Sequence, residues 1–254
     1  MLNKKPRMTE NPSLALRNKV MRAYFNLVYN PVYDVSVGQL NLYRRLQEIC
    51  IERLELKDND RVLCVGIGTG NEISRLVTMN GNIDIVGVDY SRNALRKVQT
   101  KALALEKKTD VLLMDARLLA FRTGSFDKVI CIHVTDFIKE RETVAAELVR
   151  VLKDGGRFVI TYPSQKENAG MGLNILKNNI RHTSGTGSHR FAAVFGGVAR
   201  MMLGVVYLPL LLRSDRAASR REVGTVLGGL TTGDVRIEDF PMYNDFIACG
   251  IKYG

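Results

Sequence analysis

Cysteine is scarce in this sequence, and no two cysteines stand at the Cys-x-x-Cys spacing that metal and redox sites use. The 254 residues contain four, Cys50, Cys64, Cys131 and Cys249. Cys64 and Cys131 fall inside short apolar runs of strand length, where thiols are usually buried and inert. The pattern argues against a disulfide framework and against zinc, and it predicts buried reduced thiols and no bound metal.

The first residues lack the apolar core of a secretory signal peptide. They read MLNKKPRMTENPS, which contains no apolar run. We therefore expect a cytoplasmic protein.

Acidic side chains are fewer than basic ones, 26 against 37, which gives a formal net charge of +11. The excess is concentrated in residues 164–222, where nine basic side chains stand against three acidic ones. This imbalance favours an anionic partner, and charge alone leaves open whether it is phospholipid, nucleic acid or an acidic substrate. A solvated basic surface without a partner is the alternative.

The sequence does contain a strand–turn–helix–strand pattern at residues 61–89. A short apolar run leads into Gly66, Gly68 and Gly70, and after a segment with helical spacing a second apolar run ends at Asp89. Glycines permit a tight turn and the close approach of a ligand, and the N–H groups of the following helix point into that turn. A carboxylate about 20 residues past the glycines is placed to accept both hydroxyls of a ribose. The pattern predicts an adenosine-containing cofactor.

The glycine spacing departs from the dinucleotide fingerprint, because Asn71 stands where Gly-x-Gly-x-x-Gly has its last glycine. Five segments, in order, instead resemble the motifs of class I S-adenosylmethionine-dependent methyltransferases: VLCVGIGTG, VGVDYS, LLMDARLLAF, GSFDKVICIHV and LVRVLKDGGRFVITYPS. The resemblance implies a Rossmann-like α/β fold with a seven-stranded, mostly parallel sheet, helices on both faces and a terminal antiparallel hairpin.

The resemblance also implies S-adenosyl-L-methionine as cofactor and S-adenosyl-L-homocysteine as product. It assigns cofactor binding to residues at the ends of the first four strands: Gly66, Gly68, Thr69, Gly70, Asp89, Tyr90, Asp115, Ala116, His133 and Val134. Asp115 is expected to accept from the exocyclic amine of adenine, as a carboxylate can, while the backbone N–H of Ala116 meets the ring. A helix N-cap is the alternative role for Asp115.

One residue departs from the family pattern. Cys64 stands where many members carry an acidic residue that helps to hold the methionine portion of the cofactor. The departure leaves open a non-catalytic, cofactor-binding or membrane-associated protein.

Two residues are candidates for a part in the chemistry. His133 follows the fourth strand and could act as a general base, although we favour a cofactor contact because methyl transfer mainly requires alignment. Tyr162 ends the fifth strand and is a candidate for the acceptor side. Methylases of nucleic-acid bases in this class usually carry Asn/Asp-Pro-Pro-Tyr/Phe at the fourth strand, where this chain has His-Val-Thr-Asp. The difference argues against nucleic acid as substrate.

We divide the single methyltransferase domain, 1–254, into a helical lid (1–60), a cofactor-binding core (61–163), an apolar and basic helical insertion (164–232) and a final strand pair (233–254). In the lid, YNPVYD is similar to the corresponding region of bacterial phospholipid N-methyltransferases and quinone-ring C-methyltransferases. That similarity makes Tyr24, Tyr29 and Tyr33 candidates for substrate binding, with plain packing of the helices as the alternative.

The insertion contains a long apolar run, FAAVFGGVARMMLGVVYLPLLL at 191–212. Its length approaches that of a membrane span, but Arg200 and Pro209 and the return of the chain to the sheet argue against a crossing. We expect helices that cover a hydrophobic substrate pocket or lie on an anionic membrane surface, at the inner face of the membrane. A buried structural pair or a homodimer interface is the alternative.

The function that we predict is methyl transfer from S-adenosylmethionine to a hydrophobic small molecule, such as a lipid or a quinone-like acceptor. Methylation of a polar small molecule, with the insertion forming a dimer interface, is the second hypothesis. The non-catalytic protein is the third.

Overall fold

The structure is a computed structural model that describes residues 20, 23–24, 41–79, 82–106, 109–164, 217–231, 233, 235–241 and 245–253. Within these residues the chain forms five helices and seven strands. In chain order they are α1 (Asn41–Glu52), β1 (Arg61–Val65), α2 (Asn71–Met79), β2 (Asp84–Asp89), α3 (Arg92–Ala104), β3 (Thr109–Leu113), β4 (Phe126–Cys131), α4 (Arg141–Val151), β5 (Leu152–Pro163), α5 (Arg220–Gly228), β6 (Val235–Phe240) and β7 (Asp245–Ile251).

The strands form one sheet in the order β3-β2-β1-β4-β5-β7-β6. The first five strands run parallel, whereas β7 is antiparallel to both β5 and β6. This arrangement confirms the predicted fold class. The strand order reverses between β1 and β4, and open α/β sheets bind ligands beside the carboxyl ends of the strands at such a point.

Both faces of the sheet are buried, because apolar side chains fill both sides of its central strands. Successive side chains on a strand point to opposite faces, so Val62 and Cys64 of β1 lie on one face and Leu63 and Val65 on the other. Helices α1, α2 and α3 cover the face with Val62, which we call the first face. Helices α4 and α5 cover the second face.

The end of β5 and the residue before the N-cap of α5 lie next to each other. Ser164 and Ala218 form an isolated parallel bridge, and the backbone N–H of Ala218 donates to the carbonyl of Pro163 at 2.7 Å. Both Ser164 and Ala218 are buried. The described residues on either side of 165–216 therefore meet at the carboxyl end of β5, at the edge of the sheet where open α/β sheets bind ligands.

The apolar run at 191–212 lies outside the described residues. Among the helices that the structure describes, none is long and apolar enough to cross a membrane.

Candidate functional site

The turn after β1 is built on three glycines that all have positive φ. Gly66, Gly68 and Gly70 have φ of 69°, 55° and 78°, a region that residues with a Cβ rarely adopt. A Cβ on Gly66 would also overlap the side chain of Val134. The turn is fastened to β2, because the N–H groups of Gly66 and Ile67 both donate to the carbonyl of Val88, at 2.8 and 3.0 Å. Three of the five residues of the turn thus have no side chain, and α2 begins directly after it.

Asp89 ends β2 and faces this turn. Its carboxylate accepts from the backbone N–H of Gly68 at 2.9 Å and from that of Ser91 at 2.8 Å. Burial raises the pKa of Asp89, and these backbone hydrogen bonds oppose the rise. Each carboxylate oxygen has two lone pairs, so acceptor capacity remains for a ligand hydroxyl. The structure thus brings Asp89 and the glycine turn together.

The other predicted residues near this turn lie at the same edge. Thr69 is fully buried within the turn, and Tyr90 follows Asp89 and is partly buried. The backbone N–H of Met114 donates to the carbonyl of Asp89 at 3.0 Å, which holds the chain after β3 next to the end of β2. Ala116 is buried there.

The carboxylate of Asp115 is engaged by a cation of its own chain. Arg117 donates to it from the backbone N–H at 2.9 Å, from Nε at 3.0 Å and from Nη2 at 2.6 Å. These side-chain hydrogen bonds raise the pKa of Arg117. The sequence pattern predicts an adenine contact or an N-cap role for Asp115, and the pairing with Arg117, only two residues away, was not predicted.

His133 follows β4 in a strained conformation, with φ of 57°. Its backbone N–H donates to Oγ1 of Thr161 at 2.8 Å, and its Nε2 lies 2.7 Å from Oδ2 of Asp245 at the start of β7. Its ring lies against that of Tyr43, with 5.5 Å between the centroids. Several contacts from distant parts of the chain therefore fix this side chain.

The pair of His133 and Asp245 is charged at neutral pH. Burial lowers the pKa of His133, but the carboxylates of Asp245 and Asp136 outweigh burial and raise that pKa to about 9. Burial raises the pKa of Asp245, and the charge of His133 limits the rise. A protonated imidazole cannot accept a further proton, so this raised pKa argues against the role of general base for His133. The sequence analysis did not identify Asp245, which reaches the edge only because β7 pairs with β5 and sets Asp245 opposite Pro163.

Tyr162 is not brought together with His133. Thr161 contacts His133 from the first face of the sheet, and its neighbour Tyr162 points to the second face, as strand alternation requires. Tyr162 is only 2% exposed. Burial raises its pKa, and its hydroxyl has no hydrogen-bond partner among the described residues.

Two of the three lid tyrosines, Tyr29 and Tyr33, lie outside the described residues. Tyr24 is described as helical and partly buried.

A buried carboxylate that the sequence analysis missed lies behind the glycine turn. Glu72, the second residue of α2, is 7% exposed and accepts hydrogen bonds from Tyr43 and Gln47 of α1. The signal available in the sequence was an acidic residue in the first turn of the helix after the glycines. Cys64 lies nearby, and burial together with the charge of Glu72 raises the pKa of this thiol, which stays neutral.

Comparison with known proteins agrees with this geometry. Residues 63–160 match the family model described as a methyltransferase domain. A phosphatidylethanolamine N-methyltransferase from Cereibacter sphaeroides is 30% identical over 131 residues, which are 51% of this chain and 62% of that protein. A ubiquinone/menaquinone biosynthesis C-methyltransferase from Syntrophotalea carbinolica is 28% identical over 147 residues, 54% of this chain and 62% of that one. The chain thus spans less than two thirds of the length of either relative.

A solved structure extends the likeness to most of the fold. Magnesium protoporphyrin IX methyltransferase from Synechocystis, with S-adenosylmethionine bound, matches with a TM-score of 0.62 over 92% of this chain and 96% of that one, at 13% identity. At this identity the likeness concerns the fold alone.

The sheet order and the edge of glycines and carboxylates define the class I methyltransferase fold. The family match agrees with this fold: residues 63–160, which include the glycine turn, Asp89, Asp115 and His133, match the model of a methyltransferase domain. The resemblance and the cofactor that the five motifs predicted are confirmed.

Proposed function

We propose that this protein transfers a methyl group from S-adenosylmethionine to a hydrophobic small molecule, a lipid or a quinone-like ring. The two relatives described above are named for acceptors of this kind. The proposal is supported by the bridge between Ser164 and Ala218, which sets the described residues on either side of 165–216 beside the carboxyl end of β5. Those residues include the apolar run at 191–212, and an apolar segment at this edge would give a hydrophobic acceptor a surface to bind.

The described residues suit the nucleoside end of the cofactor. The glycine turn leaves room for close approach, Asp89 retains acceptor capacity for ribose hydroxyls, and the Asp115–Ala116 segment borders the position expected for adenine. Asp115 also has to hold Arg117, so Asp89 contributes the more available carboxylate. When bound, the cofactor supplies an electrophilic methyl group on a sulfonium.

The residues of this chain would act by alignment. Methyl transfer needs an unprotonated nucleophile in line with the methyl group and little acid–base assistance. His133 is held in place by Asp245, Thr161 and Tyr43. In this fixed position its side chain would lie between the cofactor and the acceptor. In this proposal Tyr162 supports the second face of the sheet and does not contact the acceptor.

We further propose that the basic residues of 164–222 bring the protein to the anionic inner face of the membrane, where hydrophobic acceptors concentrate. A homodimer formed through the same segment is the competing arrangement.

The experiment measures transfer of label from methyl-labelled S-adenosylmethionine. The acceptors are liposomes containing phosphatidylethanolamine, a demethylated hydroquinone in detergent micelles, and a set of water-soluble amines and phenols. Asp89→Ala serves as the inactive control, and flotation with anionic and neutral vesicles measures membrane binding separately.

We expect label in the lipid or hydroquinone fraction and flotation with anionic vesicles. The proposal of a hydrophobic acceptor would be contradicted if label entered only water-soluble acceptors and the protein were a stable dimer that bound neither kind of vesicle. No transfer to any acceptor, despite cofactor binding, would favour the non-catalytic hypothesis.

A further inference from the structure

Glu72 is a buried carboxyl group that is not among the residues proposed to bind the nucleoside end of the cofactor. Its Oε1 accepts from Nε2 of Gln47 at 2.8 Å and from the hydroxyl of Tyr43 at 3.3 Å. Burial raises the pKa of Glu72, and these hydrogen bonds and the charge of Arg75 oppose the rise. Arg75 itself donates to the backbone carbonyl of Asn71. A buried carboxylate held mainly by neutral donors is unfavourable unless a ligand supplies a cation.

Gln47 has an acceptor atom without a donor. The side chain is fully buried, and its Nε2 is directed at Glu72. Its Oε1 is buried and receives no hydrogen bond from any residue in the described part of the chain. Most buried carbonyl oxygens have a donor, so an exception of this kind suggests a group that binds there.

Glu72 and Gln47 lie near the position where this chain lacks the acidic residue of the family pattern. The first strand carries the neutral thiol of Cys64 where many relatives have an acid for the methionine end of the cofactor. Tyr43, whose hydroxyl donates to Glu72, also lies against the ring of His133 with 5.5 Å between the centroids, and it packs in the same core cluster as Cys64, which places Glu72 near the ends of β1 and β4. These two ends flank the point where the strand order reverses.

We infer that Glu72 and Gln47 together bind the primary ammonium group at the methionine end of the cofactor, in place of the acid that is missing at position 64. An ammonium has three N–H donors and no acceptor, so it can satisfy one charged oxygen and one neutral oxygen at once. The carboxylate would also neutralise the positive charge, which burial otherwise penalises. The inference concerns the cofactor alone and does not depend on the identity of the acceptor.

The test compares ligands with and without the amino acid end, by calorimetric titration. The ligands are S-adenosylhomocysteine and 5′-methylthioadenosine, which has the nucleoside but no ammonium or carboxylate. The variants are Glu72→Gln, which has nearly the same shape without charge, and Gln47→Leu. Glu238→Gln is the matched control, because Glu238 pairs with Arg53 at the other end of α1, at 2.9 Å.

We expect Glu72→Gln to lower the affinity for S-adenosylhomocysteine by about tenfold to a hundredfold, which is the usual effect of losing a hydrogen bond to a charged group. Affinity for 5′-methylthioadenosine should stay within about twofold of the wild type, since the nucleoside contacts remain. Gln47→Leu should show the same pattern with a smaller loss, and Glu238→Gln should change neither affinity. Equal losses for both ligands in Glu72→Gln, or no loss for either, would overturn the inference.

A second measurement needs no variant and therefore does not depend on its folding. The wild type is titrated with S-adenosylhomocysteine and with its deaminated analogue, which keeps the carboxylate. We expect the deaminated analogue to bind more weakly than S-adenosylhomocysteine by about tenfold or more. Equal affinity for the two ligands would overturn it.

Discussion

At the scale of single residues, the turn after β1 depends on the absence of a side chain at Gly66. Its φ of 69° and the position of Val134 both exclude a Cβ. The same packing brings the chain after β4 against the chain after β1, so the two sides of the site are positioned together. The family motif predicts glycine here from the sequence, but the contact with Val134 appears only in the fold.

Gly66→Ala should therefore reduce both stability and cofactor binding. A non-glycine residue in the left-handed region costs about 1–2 kcal/mol, and the overlap with Val134 adds to that. We expect a lower free energy of unfolding in urea and a loss of affinity for S-adenosylhomocysteine. Gly228→Ala is the control, because Gly228 ends α5 and a Cβ added there would meet no atom within 4 Å, so both quantities should stay nearly unchanged. An unchanged Gly66→Ala protein would contradict the packing described here.

The pair of His133 and Asp245 predicts a pH dependence of stability. The pKa of His133 is raised from 6.5 to about 9, so the stabilisation from its charged form is complete below pH 6.5 and is lost as the pH rises to about 9. The free energy of unfolding of the wild type should fall in this range by about 3 kcal/mol more than that of His133→Gln/Asp245→Asn, since each pKa unit corresponds to about 1.4 kcal/mol. Urea unfolding at several pH values measures the difference. Parallel curves for the two proteins would rule out the charged pair.

Several site residues could not be predicted because their role comes from distant parts of the chain. Asp245 reaches His133 only through the antiparallel pairing of β7 with β5, and Glu72 is identified by two side chains of α1. The position of Asp89 beside the glycine turn was predictable, since it ends β2, and its role toward the cofactor stays a prediction. The face to which Tyr162 points was not predictable, because a shift of one residue along a strand reverses that face.

At the scale of elements, α5 fixes the point where the chain returns from residues 165–216. It begins with a capping box, in which Ser219 accepts from the backbone N–H of Glu222 and Glu222 accepts from that of Ser219. The preceding residue, Ala218, forms the bridge to Ser164. The cap therefore stabilises both the start of the helix and the junction beside the site.

Ser219→Ala should destabilise the protein by about 1 kcal/mol, the usual cost of a lost N-cap. Ser74→Ala is the control, because Ser74 is exposed within α2 and its backbone carbonyl, which the substitution keeps, accepts the hydrogen bond from Thr78. Thermal unfolding measures both variants. Equal melting temperatures for Ser219→Ala and the wild type would show that the cap contributes nothing to the junction.

At the scale of the whole molecule, the fold was predictable because five motifs occur along the chain in the order typical of the family that the sequence resembles. Each motif joins a buried strand to a turn at its carboxyl end, so short local patterns determine the parallel part of the sheet. The division into lid, core, insertion and final strand pair remains a prediction. The acceptor depends on the shape of a pocket formed by distant segments, which no local pattern specifies.

The central claim is that the glycine turn and Asp89 together bind the nucleoside end of S-adenosylmethionine. The most direct measurement is a calorimetric titration of S-adenosylhomocysteine into the wild type and into Asp89→Ala. We expect one binding site per chain in the wild type and an affinity lower by about tenfold or more in the variant, because two ribose hydroxyls lose their acceptor. No binding by the wild type, or equal binding by the two proteins, would contradict the claim.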